Sequence, residues 1–251
     1  MTLNPIGKVL STFRKHRVRA LLMGGQACIL YGAAEFSRDV DLAVLASKAN
    51  LQRLRAALAD LRAEPIFVPP LGAEVLERGH ACHFRSWLRG TKGLRIDIMS
   101  RMHGCAPFEE LWQRRCRLAV PGVGRVNVIA LPDLIQAKKT QRDKDWPMVR
   151  RLVEVDYHCR PRRPARTQTL FWLREARTPP LLMELCRRYP TDARRVAEER
   201  PAVRRALAGN LRQIEQALRE EEETLRAADQ EYWRPLRAEL LQWRRARWKS
   251  R

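Results

Sequence analysis

The sequence predicts an α+β fold whose N-terminal half mixes strands with helices and whose C-terminal region is all helical. Two observations lead to this prediction. In the first half, short apolar runs alternate with segments of helical periodicity, whereas from Pro132 onward the apolar spacing is helical. The chain has 251 residues, of which 45% are hydrophobic, so it can bury a sizeable core.

The predicted elements follow each other along the chain. An amphipathic helix opens it, and a short helix (QACILYGAA) and a longer one (KANLQRLRAALADLR, apolar at 51, 54, 58 and 61) lie between strands. The strand candidates are RALLMGG, RDVDLAVLAS, PIFVPP, HACHFRSW, GLRIDIMS and the two halves of CRLAVPGVGRVNVIAL, joined by a Pro-Gly turn. A long helical pattern then covers LPDLIQAKKTQRDKDWPMVRRLVEVDYH.

Composition predicts a boundary late in the chain. Residues 160 to 166, RPRRPAR, contain four arginines and two prolines and are the predicted linker. It separates a core domain at 1–159 from a helical region at 167–251. Prolines at 179, 180, 190, 201 and 235 are expected to break the helices of that region.

Charge and hydropathy limit the function classes. Lys and Arg number 49 against 28 Asp and Glu, which gives a net charge of +21. This excess attracts phosphate backbones and makes RNA an expected partner, although arginine-rich codon usage also places such charges on a solvated surface. No apolar run approaches the roughly 18 residues of a membrane span, and no secretory signal is evident. We therefore expect a cytoplasmic protein without a membrane partner.

Two aspartates interrupt the second predicted strand. Asp39 and Asp41 are two residues apart, so in a strand both carboxylates point to one face. Like charges this close repel each other unless a cation lies between them, and oxygen ligands of this kind suit Mg²⁺. Asp97 interrupts GLRIDIMS in the same way. Three aspartates on adjacent strands can hold two metal ions about 3.5–4 Å apart for phosphoryl or nucleotidyl transfer, with Asp97 as candidate general base.

A metal site made of His80, Cys82 and His83 is the weaker hypothesis, because His83 points away from Cys82 in a strand. Gly24 and Gly25 precede the short helix and would let backbone N–H groups approach a triphosphate.

The combination of strand, Gly-Gly, helix, Asp-Val-Asp and a later lone strand aspartate resembles the nucleotidyltransferase superfamily of the DNA polymerase β type. MGGQACILYGAAEFSRDVDL is most similar to bacterial AbiEii-type nucleotidyltransferases, which include toxins of type IV toxin–antitoxin systems. The resemblance covers roughly residues 18 to 156. It implies a mixed sheet flanked by helices, two Mg²⁺ ions, a nucleoside triphosphate and a cognate antitoxin as a candidate partner.

Site residues follow from the resemblance position by position. Gly24 and Gly25 match the phosphate-binding turn, Asp39 and Asp41 the metal ligands, and Asp97 the third carboxylate. Many members carry Ser or Thr after the first glycine. In this sequence Gly25 and Gln26 occupy those positions. A contact with the phosphate would therefore have to come from the Gln26 side chain or from the backbone.

A second cluster, AKKTQRDKDW, places Lys138, Arg142 and Asp145 on one helical face and Lys139, Asp143 and Trp146 on another. On spacing alone this is a solvated helix. By the resemblance, Lys138 or Lys139 reaches the triphosphate, and Asp143 or Asp145 orients that lysine or assists the general base. Arg38 either neutralises the carboxylates, contacts the substrate or is a surface residue at the end of the strand.

The C-terminal region carries Trp172, Trp233, Trp243 and Trp248, and its last residues, LQWRRARWKSR, suit either RNA contact or a terminal helix with a basic face.

Two functions of the chain remain as hypotheses. The first is a nucleotidyltransferase acting on RNA, such as the 3′ end of tRNA, on a protein hydroxyl or on a small molecule such as an aminoglycoside. The second is an inactive nucleotide- or RNA-binding module. Aspartates in apolar strands are costly without a role, which favours the enzyme.

Overall fold

The computed structural model describes residues 5–34, 36–159 and 163–249, with side chains to residue 246. The chain forms two compact units. The first comprises residues 1–30, 34–137 and 232–251, and the second comprises 31–33 and 138–231. The predicted linker at 160–166 lies partly outside the described residues, since 160–162 are not among them.

The described residues form an α+β structure, as predicted. The strands are β1 Ala20–Met23, β2 Asp39–Val44, β3 Ala63–Pro65, β4 Cys82–Ser86, β5 Arg95–Met99, β6 Cys116–Val120 and β7 Gly124–Val128. The helices are α1 Pro5–Lys15, α2 Gly24–Leu30, α3 Lys48–Asp60, α4 Ala73–Glu77, α5 Phe108–Gln113, α6 Leu131–Lys138, α7 Trp146–Cys159, α8 Arg166–Glu175, α9 Pro179–Arg188, α10 Pro190–Glu199, α11 Pro201–Leu207 and α12 Leu211–Lys249. No helix within the described ranges combines the length and apolarity needed to cross a membrane.

The first unit is built on one mixed sheet with strand order β3-β4-β5-β2-β1-β7-β6. The central strands β2 and β5 are parallel, and β1 is antiparallel to β2. One face of the sheet carries a continuous row of apolar side chains. The register places in one row, at 2% exposure or less, the side chains of Val128, Leu22, Leu42, Ile98 and Cys82.

Helix α3 is present as predicted, and the structure adds an N-terminal cap that the sequence analysis did not include. The side chain of Ser47 accepts a hydrogen bond from the backbone N–H of Asn50, which caps the first turn. The residues predicted to share its apolar face are all buried, at 4% exposure or less: Leu51, Leu54, Leu58 and Leu61.

Two element predictions were wrong, both because of proline. PIFVPP is not a strand. The strand is Ala63–Pro65, and only Ile66 continues the pairing, by donating its N–H to the carbonyl of His83. The residues that follow include Pro69 and Pro70, which have no N–H to donate to a sheet.

The long helix predicted between residues 132 and 158 is interrupted. Helix α6 ends at Lys138, a 3-10 turn covers Asp143–Asp145, and α7 begins at Trp146. Pro147 cannot donate the hydrogen bond that a continuous helix needs at that position, but it is tolerated in the first turn of α7. Lys138 and Asp145 therefore meet across a loop and not along one helical face.

The second unit is helical, as predicted for this part of the chain. Its largest fully buried side chains include Trp146 and Trp172, each 1% exposed. Arg200 is 8% exposed and donates to the carbonyls of Leu173 and Ala176, both at 2.7 Å, and to Glu221 Oε2 at 2.9 Å. Of the prolines expected to break helices, those at 179, 190 and 201 each lie at the start of a helix. Pro235, in the part of α12 that belongs to the first unit, lies inside the helix and does not end it.

Candidate active site

The two central strands bring the predicted aspartates together on the face opposite the apolar row. Asp41 of β2 stands opposite Asp97 of β5 in the parallel register. Asp39 lies two residues before Asp41 and so shares its face. The prediction that the strand carrying Asp97 is adjacent to the one carrying Asp39 and Asp41 is confirmed.

Two residues that the sequence analysis did not assign to the site contact Asp97. His83 of β4 stands opposite Asp97, and its Nδ1 lies 2.8 Å from Asp97 Oδ1. Arg95 donates from Nε to the same oxygen at 2.7 Å. The signal for Arg95 was its spacing, two residues before Asp97 on the same strand. His83 could be found only from the β4–β5 register, although its predicted orientation away from Cys82 is confirmed.

The electrostatics of the site keep Asp97 and Arg95 ionised. Burial acts to raise the pKa of Asp97, but the hydrogen bonds and charges of His83 and Arg95 outweigh burial and hold that pKa below its ordinary value. Burial likewise acts to lower the pKa of Arg95, yet its bond to Asp97 and the charges of Asp97, Asp39 and Asp41 raise it. One guanidinium thus experiences the field of all three carboxylates.

Gly24 fits closely against Asp41. Its φ of +63° lies in the left-handed region that glycine adopts without strain. A Cβ added there would stand 2.6 Å from the Cβ of Asp41 and closer still to the carboxylate. Glycine at this position therefore leaves room for the Asp41 carboxylate.

The neighbouring Gly25 and Gln26 contact Ser37, in the segment that precedes β2. Gln26 is 8% exposed, and its Nε2 donates to the Ser37 carbonyl at 3.0 Å. A Cβ at Gly25 would lie 2.8 Å from the Cβ of Ser37 and closer to its hydroxyl. The Ser37 hydroxyl therefore lies beside the glycine turn, while the Gln26 side chain is committed to a backbone carbonyl. This placement of Ser37 was not foreseen from the sequence.

Aromatic side chains border the carboxylate row. The rings of Phe67 and His83 meet edge to face with centroids 6.0 Å apart, and Phe67 is 45% exposed. Phe36 is 71% exposed, and the guanidinium of Arg38 lies 5.8 Å from its ring centroid. Arg95, and not Arg38, is the arginine that bonds to Asp97.

The predicted phosphate-contacting lysines belong to the second unit, and each has a carboxylate partner there. Lys138 Nζ donates to Asp145 Oδ1 at 3.0 Å, and Lys139 Nζ donates to Glu175 Oε1 at 2.9 Å. Asp143 accepts from Arg226 Nη1 at 2.6 Å. Which lysine contacts phosphate stays a prediction.

The three carboxylates suit Mg²⁺ because they offer oxygen ligands. Their negative charge already stabilises one cation, the Arg95 guanidinium, which donates to Asp97. Among the residues that the structure describes, no three His, Cys, Asp or Glu side chains form a group that could hold a metal ion. Water and substrate oxygens would have to complete the coordination, which is usual for Mg²⁺.

Part of the basic C-terminal segment packs within the first unit, to which it belongs. Trp243 lies 4.8 Å from the ring of His80, and Arg78 lies over Trp243 at 5.4 Å. The side chain of Trp248 lies outside the described residues. RNA contact by this segment stays a prediction. No protein-family model matches the chain and no curated protein matches it, so the chemistry of the site is inferred from its own residues.

Proposed function

We propose that the chain is a Mg²⁺-dependent nucleotidyltransferase of the DNA polymerase β type. It would transfer a nucleoside monophosphate from a triphosphate to an acceptor hydroxyl, with RNA as the favoured acceptor. The observation that carries the proposal is the pairing of Asp41 with Asp97 across parallel strands, with Gly24 against Asp41. The net charge of +21 supports a polyanionic acceptor.

Each residue has a role in this proposal. Asp39, Asp41 and Asp97 are the proposed Mg²⁺ ligands. Because these three side chains do not by themselves form a metal-holding group in the described structure, water and substrate oxygens would complete the coordination, and the ion would supply positive charge at the transferred phosphate. Asp97 is ionised at neutral pH and so is available to accept the proton of the attacking hydroxyl. Arg95 orients the Asp97 carboxylate, and the absence of a side chain at Gly24 leaves room for the Asp41 carboxylate.

The test is transfer of label. The full-length protein is incubated with Mg²⁺, each α-³²P-labelled nucleoside triphosphate in turn and total bacterial RNA, beside an Asp39→Asn/Asp41→Asn variant and a sample with EDTA. We expect label on RNA only with the unaltered protein and Mg²⁺. Label on the protein itself would redirect the acceptor to a protein hydroxyl.

The second candidate is a module that binds nucleotide or RNA without transfer. It is favoured by one observation, that Arg95 already balances Asp97 and lies in the field of the other two carboxylates. A guanidinium can also pair with phosphate without a metal. Nucleotide binding that is equally tight with Mg²⁺ and with EDTA, and no transfer of label to RNA or protein, would favour this module over the enzyme.

Ser37 gives a prediction of moderate size. Because its hydroxyl lies beside the glycine turn, we expect Ser37→Ala to raise the KM for the nucleoside triphosphate about tenfold, the loss of one hydrogen bond to a charged group. The control is Ser47→Ala, which removes the α3 cap and about 1 kcal/mol of stability but leaves KM unchanged. An unchanged KM in Ser37→Ala would show that the hydroxyl does not contact the substrate.

A further inference from the structure

A cavity of about 240 Å³ lies in the first unit, and its lining includes none of Asp39, Asp41 and Asp97. Leu22 of β1 and Leu42 of β2 form part of its wall. Each is adjacent in sequence to a residue of the Met23–Asp41 pair, so its side chain points to the face opposite the Asp41 carboxylate. Leu10 and Phe13 of α1 contribute further apolar surface. The cavity is therefore separate from the proposed active site.

Four arginines line the same cavity: Arg14, Arg17, Arg19 and Arg125. Arg19 is neutralised by Glu109, with which it forms two hydrogen bonds of 3.0 and 2.5 Å, and it lies 4.9 Å from the Trp112 ring centroid. Within the described part of the chain, the guanidinium groups of the other three form no hydrogen bond or ion pair. The cavity thus combines an apolar wall with unbalanced positive charge.

Arg17 occupies a backbone position that favours glycine. Its φ is +53°, and it ends α1 with the two hydrogen bonds of a Schellman motif. Its N–H donates to the Arg14 carbonyl at 2.9 Å, and the N–H of Val18 donates to the Phe13 carbonyl at 3.0 Å. A large side chain in this conformation is strained, and such strain is concentrated at functional sites.

We propose that this cavity binds a small organic anion with a flat apolar body, such as an aromatic carboxylate. An apolar cavity of about 150 Å³ already accommodates benzene, so 240 Å³ suits one or two fused rings. Arg14, Arg17 and Arg125 would pair with the acidic group.

The test is calorimetric titration of the full-length protein with 2-naphthoate. Three comparison ligands separate the contributions: 2-naphthamide keeps the ring without the charge, 2-naphthylmethylammonium reverses the charge, and acetate keeps the charge without the ring. We expect 2-naphthoate to bind roughly tenfold or more tightly than the amide, and the other two not to bind.

Arg17→Gly is the decisive variant, because glycine adopts the left-handed conformation without strain and the fold is retained. We expect its Tm to be unchanged or higher, and its affinity for 2-naphthoate to fall roughly tenfold. Arg62→Gly is the matched control. Arg62 follows α3 with a φ of +47° and does not line the cavity, so its Tm should respond similarly and its affinity should not change.

Three results would each overturn the proposal: no binding of 2-naphthoate, equal binding of 2-naphthoate and its amide, or equal affinities of the Arg17→Gly and unaltered proteins. The proposal does not depend on nucleotidyl transfer, since neither the cavity nor the titration involves the aspartates.

Discussion

Gly24→Ala is expected to abolish nucleotidyl transfer and to lower the free energy of unfolding by about 3 kcal/mol. Two effects add. At a φ of +63°, any side chain strains the backbone by about 1 kcal/mol. The new Cβ would also stand 2.6 Å from the Cβ of Asp41, so Asp41 or the turn must move. Displacement of Asp41 removes a proposed metal ligand and therefore the activity.

Gly93→Ala separates the two effects. Gly93 also has a positive φ, +84°, but a Cβ there would meet no atom within 4 Å. We expect this variant to lose about 1 kcal/mol from backbone strain alone and to keep full transfer activity. Urea unfolding and the label-transfer assay measure the two properties. Equal behaviour of the two variants would mean that the contact with Asp41 has no consequence.

The positions of the aspartates were predictable because each interrupts an apolar strand, a pattern that depends only on local periodicity. Asp39, Asp41 and Asp97 were found in this way, and the register confirms that β2 and β5 are neighbours. His83 was not found, because its place beside Asp97 depends on how β4 pairs with β5. Alternation along a strand predicts a face, but it does not predict which residue of another strand stands opposite.

The predicted continuous helix between α6 and α7 was wrong, because the residues of a loop there happen to have helical spacing. The spacing of Lys138, Arg142 and Asp145 is also that of a helical face, so periodicity alone could not reveal the loop between α6 and α7. In the structure all three still interact, because Asp145 accepts from Lys138 and Arg142 across the loop. Pro147 was the available signal for the interruption.

Asp145→Asn is expected to lower the free energy of unfolding at pH 7 by about 3 kcal/mol. Asp145 is 2% exposed and accepts from Lys138 Nζ at 3.0 Å, Thr140 Oγ1 at 2.7 Å and Arg142 Nε at 2.7 Å. The substitution removes the negative charge and leaves Lys138, itself largely buried, without its partner. Removal of one member of a buried ion pair typically costs this amount.

The control for Asp145→Asn is Asp143→Asn in the same turn. Its side chain is 98% exposed, and its pair with Arg226 is open to solvent, so we expect no measurable loss of stability. Urea unfolding of both variants and the unaltered protein at pH 7 makes the comparison. Similar losses in the two variants would contradict a specific role for the buried carboxylate.

The difference between the unaltered protein and Asp145→Asn should disappear in acid. Burial acts to raise the pKa of Asp145, but the charges of Lys138 and Arg142 and the Thr140 hydrogen bond hold it below its ordinary value of 3.8. The unfolded chain therefore takes up this proton first as the pH falls. The stabilisation is fully present above about pH 5 and is lost progressively as the pH falls below about 4 and through the folded-state pKa. Unfolding between pH 7 and pH 3 measures it, and a difference that stayed constant across this range would show that the Asp145 charge is not what stabilises the turn.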